Sequence, residues 1–181
     1  APTGLVVGNP GLRPERTHDI EAAIAFLPGR LLAVRAVAFA GLIDDAIAYT
    51  NRNAYQIAPD NTGTAGRLGI DTFVSVEPAR WFALAATLGL LSSRVDATGA
   101  PLPLAPPWSS RVAVRAGYAS AFTVEGVLRA RGPVSSNICG TLVAPAISLV
   151  DVVARAPLAP GLWLSGAVHN ALDAHRASRN A

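Results

Sequence analysis

The strongest constraint on this chain is the spacing of its charges between Arg111 and Arg131. From Arg111 to Tyr118, the residues Val112, Val114, Ala116 and Tyr118 alternate with Arg111, Ala113, Arg115 and Gly117. After a break at Ala119-Ser120-Ala121, Phe122, Val124, Gly126, Leu128 and Ala130 alternate with Thr123, Glu125, Val127, Arg129 and Arg131. Residues two apart share one face of a strand, whereas helical spacing would scatter these charges around an axis. The pattern predicts two antiparallel strands joined by a very short turn, with all the charge on one face.

Similar runs recur along the chain. Thr17–Phe26 places Ile20, Ala22, Ile24 and Phe26 opposite Asp19, Glu21, Ala23 and Ala25, although its Glu and Ala content also suits a helix. Leu31–Ile43 is apolar on both parities apart from Arg35, so it reads as a strand of unassigned face. Thr64–Val76, Trp81–Leu91, Ile147–Ala156 and Leu162–Val168 complete about eight strands. The connections alternate in length. Leu27–Arg30, Glu77–Arg80, Ala119–Ala121 and Pro157–Gly161 are short, whereas Asp44–Gly63, Ser92–Ser109 and Gly132–Pro145 are long and read as loops. Pro101, Pro103, Pro106 and Pro107 exclude a ladder from much of the second long connection.

Short turns at one end and long loops at the other are the pattern of an antiparallel transmembrane β-barrel, with periplasmic turns and extracellular loops. Composition fits it. Hydrophobic residues make up 51% and charged residues 15%, with a mean hydropathy of +0.36. Yet the longest strongly apolar run, Trp81–Leu91, is far short of the roughly 20 residues of a spanning helix. An alanine-rich soluble β-sandwich has the same averages, and its solvent face would carry the same charges. It has less reason to sort its loops by length. Phe26, Trp81, Phe82, Trp108, Tyr118 and Phe122 lie near strand ends, where interfacial girdles form.

Other chemistry finds little support. The net charge is +3 with scattered arginines, so no nucleic-acid partner is expected. The single Cys139 lies in a polar loop. His18, His169 and His175 lack ligand spacing, Asp44-Asp45 reads as a solvated pair, and neither a nucleophile elbow nor a phosphate loop occurs. The chain is not expected to be an enzyme, and neither a catalytic residue, a metal site nor a cofactor is assigned. Ala1–Gly4 has neither a basic n-region nor an apolar h-region, so no signal peptide is expected there.

Four segments carry a family resemblance. Asn9-Pro10-Gly11-Leu12-Arg13-Pro14-Glu15, within the stretch Gly8–Glu21, resembles the "NPxLxPE" segment of TonB-dependent outer-membrane receptors, which leads from an extracellular loop into a barrel strand. Asn61–Asp71 is similar to that family's "N-x-G-x-A-x-x-x-G-v-E" strand, with Asp71 where glutamate is usual. Pro106–Tyr118 looks like its "P-x-h…Y" strand pair, and Val168-His169-Asn170-Ala171-Leu172-Asp173 resembles its "v-x-N-L-f-D" signature. The resemblance implies a partial barrel domain over residues 1–181 in the outer membrane: loop end 1–16, strands 17–168 and polar tail 169–181. Of a barrel of about 22 strands it would supply roughly the fourteenth to twenty-first. The plug domain with its TonB box, the early strands and the final aromatic-ended strand are missing, so the resemblance implies a fragment.

The family takes up scarce ligands such as ferric siderophores or cobalamin, driven by the TonB complex acting through the plug. The implied partners are the outer-membrane bilayer and a small-molecule ligand such as a metal chelate. Arg52, Tyr55 and Trp108 offer a cation and aromatic faces to an anionic or planar ligand, and loop anchoring or interfacial packing is the competing reading for each. A small stand-alone barrel with a structural or adhesion role and a soluble β-sandwich binding module are the alternatives.

Overall fold

A computed structural model describes residues 5–29, 31–53, 55–118, 121–137 and 139–172. The turn residues Arg30, Ala119 and Ser120, the termini Ala1–Gly4 and Asp173–Ala181, and with them His175, lie outside these. Eight strands form one antiparallel sheet: β2 (Arg16–Phe26), β3 (Leu32–Asp44), β6 (Ala65–Ala79), β7 (Phe82–Val95), β8 (Trp108–Tyr118), β9 (Phe122–Arg131), β12 (Ile147–Ala159) and β13 (Leu162–Val168). Five short strands belong to the long connections: β1 (Leu5–Val6), β4 (Ile47–Asn53), β5 (Gln56–Asn61), β10 (Val134–Ser135) and β11 (Val143–Ala144). The order β13-β12-β9-β8-β7-β6-β3-β2 pairs each wall strand with its neighbours in sequence. The short turns therefore gather at one end and the long connections at the other.

Register decides which residues share a face. Arg35 lies opposite Phe73, Phe73 opposite Thr87, Thr87 opposite Arg111 and Arg111 opposite Arg129. One face thus collects Asp19, Glu21, Arg35, Arg67, Asp71, Arg111, Arg115, Glu125, Arg129, Arg131, Asp151 and Arg155. The opposite face is apolar along every strand, for example Ile20, Ile24, Val34, Ile70, Val74, Leu84, Leu88, Val114, Leu128, Val152 and Leu164. Its acidic and basic residues, Arg16, His18, Asp44 and Arg94, all sit at the loop end. A basic side chain at the bilayer midplane costs about 2–4 kcal/mol, which this partition avoids. The apolar face carries Phe26, Phe82, Tyr118 and Phe122 beside the short turns and Trp108 beside the loops, as two interfacial belts require.

The sheet is open. The strands β2 and β13 end it and are not paired to each other, and no wall strand packs face to face on another. A soluble sandwich needs that second layer, so the sandwich alternative is lost, as is the small stand-alone barrel, which would need β2 and β13 to pair. The accessible surface is 12335 Å2, whereas a compact soluble monomer of this mass exposes about 8,200 Å2. Both faces await cover. Most wall strands meet the roughly 9–11 residues that cross a bilayer, with β2 at 11, β6 at 15 and β9 at 10.

Several details differ from the sequence reading. Strand β7 runs on to Val95 and β8 begins at Trp108, so the second long connection is shorter than Ser92–Ser109, and the third, Gly132–Pro145, holds the β10–β11 pair. Strands β6 and β12 run through Pro78 and Pro157 to Ala79 and Ala159, with register shifts between Val76 and Ala79 and between Pro157 and Ala159. Proline is accommodated at such irregularities, so the turns are tighter than expected. The connection 45–64, read mostly as a loop, contains the β4–β5 hairpin, extended by β1 in parallel with β5.

Candidate functional site

The loop end is a built structure. Its small apolar core is Ala46, Ala65 and Val95, with Ile43 and Leu102 packed against it. The connections are tied to one another. Asp96 N–H donates to Thr64 O at 3.0 Å, the Thr64 hydroxyl donates to the Asp96 carboxylate, and Leu104 N–H donates to Ser135 O at 2.8 Å. The segment Gly8–Glu21 fastens the β4–β5 hairpin. Asn9 Nδ2 donates to Pro59 O at 3.1 Å, Arg13 N–H donates to Asn61 Oδ1 at 2.8 Å, and Asn61 Nδ2 returns a bond to Arg13 O at 3.0 Å. Glu15 Oε2 accepts from Ile47 N–H at 3.0 Å, and Arg13 pairs with Asp45 at 2.5 Å. The proline and glycine residues of this segment hold it irregular, which leaves those backbone groups free to bond outward.

Arg52 and Tyr55 lie together at the hairpin tip. Asn53 closes the tip by accepting from Tyr55 N–H at 2.9 Å and donating to Gln56 Oε1 at 3.0 Å. Both side chains are exposed, Tyr55 to 79%, and Arg52 forms no ion pair among the described residues. Trp108 is elsewhere. It opens β8 on the apolar face opposite Leu90, and Gly132 makes room for its indole: a Cβ there would stand 2.8 Å from Nε1.

Beneath the hairpin root a cavity of about 420 Å3 opens between the loops, lined by Glu15, Tyr49, Thr62, Leu102, Leu104 and Asn137 among others. Sequence reasoning passes over Tyr49 and Asn137. Only the pairing of distant loops brings them together, and the Ile47/Tyr49 alternation was the one available signal.

Below the loops, the charged face pairs much of its charge across strands. Arg67 bonds Asp19 at 2.7 Å, and the gap is bridged over Gly41, whose register position lies between them. Arg129 bonds Asp151 at 2.6 Å, and Asp151 also accepts from Asn170 N–H at 3.0 Å. The chain after β13 is thereby held back on β12, with Ala171 N–H donating to Val150 O at 2.7 Å. This gives Val168–Leu172 of the terminal signature a structural task, while Asp173 lies outside the described residues. No three His, Cys, Asp or Glu side chains among the described residues gather to hold a metal ion. The arrangement is a polar wall under an extracellular canopy, suited to lining an aqueous path.

The comparisons agree. The family described as TonB dependent receptor-like, beta-barrel matches residues 1–171. The chain belongs to the TonB-dependent receptor β-barrel family. It is therefore a stretch of an outer-membrane barrel. A search of curated proteins finds no match. Among solved structures, the copper transporter OprC superimposes with a TM-score of 0.76 at 17% identity, covering 91% of this chain and 26% of OprC. A mutant ferric enterobactin receptor PfeA from Pseudomonas aeruginosa gives 0.74 at 14% identity, covering 93% and 27%. The ferric yersiniabactin uptake receptor FyuA from Yersinia pestis gives 0.73 at 13%, covering 88% and 25%. The chain thus spans about a quarter of the length of the structures it resembles, a fragment of such a barrel, and these likenesses speak for the fold.

Proposed function

We propose that this chain forms part of the wall and extracellular loops of a receptor that takes up a scarce ligand, a metal chelate such as a ferric siderophore or a cobalamin. The reading rests on one observation: a bilayer-facing apolar surface backed by a charged wall that ends in an interlocked extracellular canopy. Energy would reach the ligand through the TonB complex acting on a plug domain that these residues do not include, so the chain alone does not transport. Arg52 and Tyr55, exposed together at the canopy's tip, are the proposed first contacts for an anionic or planar ligand. Trp108, on the bilayer-facing parity, is proposed as an interfacial anchor instead.

The test is uptake of iron-55 presented as ferric enterobactin, ferric yersiniabactin or another chelate, or of cobalt-57 cobalamin, by cells carrying the complete receptor. Energy-dependent uptake of one of these is expected, and cell-surface retention of that ligand should fall when Arg52 and Tyr55 are both replaced by alanine. Heat-modifiable gel migration and a need for detergent test the membrane reading separately. A monomeric protein soluble without detergent would overturn it.

A further inference from the structure

On the charged face, two consecutive rows cross β7, β8 and β9: Thr87–Arg111–Arg129 and Gly89–Ser109–Arg131. Neighbouring strands lie about 4.8 Å apart, so three arginines are rooted in a small area of wall close beneath the 132–146 connection. Arg111 and Arg129 are directly opposite each other, an arrangement that like charges disfavour. Arg129 is engaged by Asp151 at 2.6 Å. Arg111 leans along the strand toward Glu125, and at 3.6 Å is too far for a hydrogen bond. Arg131 gives one N–H to Gly132 O at 3.3 Å and forms no ion pair among the described residues. Glu125 and Asp151 thus answer two of the three cations. The three arginines line a cavity of about 350 Å3, together with Thr87 and Ser109. A third carboxylate, Asp71, stands beside Ser109 in the second row, outside the cavity's lining. There Gly89 has no side chain, and Asp71 Oδ1 and Ser109 Oγ take its place, 2.7 and 3.1 Å from where a Cβ would stand.

We propose that this cluster is a binding site on the inner wall for an oxyanion, a carboxylate or phosphate group borne by a small solute. Arg131 and Arg111 would grip the anion through their planar N–H forks, and the Ser109 hydroxyl would donate to it. Guanidinium groups match such anions two donors at a time. An anion also relieves the repulsion between Arg111 and Arg129. The inference stands on the strand register and not on the uptake reading, and direct binding is measured apart from transport.

The test is calorimetric titration, at low ionic strength, of inorganic phosphate and of succinate into the full-length protein extracted from outer membranes in detergent. Saturable binding of at least one is expected. Replacing Arg131 by glutamine should weaken it by roughly tenfold or more, since hydrogen bonds to charged groups contribute about 1.5–3 kcal/mol. The substitution Arg35→Gln, at an inner-face arginine that also lacks an ion pair among the described residues, should change it less than about twofold, as expected of a charge outside the site. Folding of each variant is checked by heat-modifiable migration. If Arg131→Gln does not fold, Ser109→Ala takes its place, with about threefold weakening expected for one lost hydrogen bond. Absence of saturable binding, an unchanged affinity in the variant used, or an equal loss in Arg35→Gln would overturn the site.

Discussion

The two faces of the sheet are built from alternate residues of the same strands, yet they obey opposite rules about charge. On the bilayer side acidic and basic residues appear only at the loop ends, at Arg16, His18, Asp44 and Arg94. On the inner side they run the full height, from Arg131 near the loops to Glu77, which reaches Arg115 at 3.6 Å near the turns. A soluble sheet tolerates stray charge on its outer face and has no reason to exclude it from one parity of eight successive strands. The largest expected effect tests this difference. Leu88→Arg places a cation mid-strand on the bilayer side and should cost about 2–4 kcal/mol. Ser75→Arg, on the inner face beside Glu77, should cost less than about 0.5 kcal/mol. Urea titration of folding into lipid vesicles, read by gel mobility, measures both. Equal costs would remove the distinction between the faces.

Glycines sharpen the comparison. On the bilayer face, a Cβ added at Gly126 or Gly166 would meet nothing within 4 Å. On the inner face the same atom at Gly69 would stand 2.3 Å from the Phe39 ring and 2.6 Å from the Leu90 carbonyl oxygen. The ring could turn aside, but the carbonyl is fixed in the ladder. Gly69→Ala should therefore destabilise by about 1–3 kcal/mol, the usual cost of overpacking. Gly126→Ala should be neutral or stabilise by about 0.4–1 kcal/mol, because it narrows the unfolded ensemble. The same titration ranks the pair. A ranking in the opposite order would mean that the inner wall is looser than its contacts indicate.

The eight wall strands were legible because each separates a bilayer face from a wet one, which writes period two into the sequence. Strand β3 shows the limit of that signal. Its inner face holds Ala33, Val37 and Phe39 beside Arg35, so both parities look apolar, and only the register opposite β2 and β6 assigns its sides. The β4–β5 hairpin was not legible. Residues such as Asn51, Arg52 and Asn53 are exposed whichever way they point, so no in-and-out alternation marks them. The segment Gly8–Glu21 was recognisable as a break and as a family feature, but its work was hidden. Asn9 bonds Pro59 and Arg13 bonds Asn61 about fifty residues away, and such pairings leave no local trace. Arg52 and Tyr55 could be singled out by chemistry, whereas the inner-wall cluster around Arg131 needed the register of three strands.

The smallest expected effect separates two reasons for placing charge on the inner wall. Arg67 and Asp19 make a bidentate contact, with Arg67 Nη2 2.7 Å and Nε 3.3 Å from the carboxylate oxygens. If such pairs were there to stabilise the sheet, breaking one would be costly. But the two side chains remain 38% and 35% exposed, and solvent screens a pair of that kind to about 0.2–1 kcal/mol. Arg67→Gln should accordingly cost no more than this, and the cost should shrink in 1 M salt, where screening acts within about 3 Å. The Leu88→Arg penalty comes from desolvation and should persist at the same salt concentration. If Arg67→Gln instead proved as damaging as Leu88→Arg, the inner charges would be structural clamps. The expected inequality means that they occupy the wall because water reaches it, which leaves groups such as Arg131 free to meet a solute.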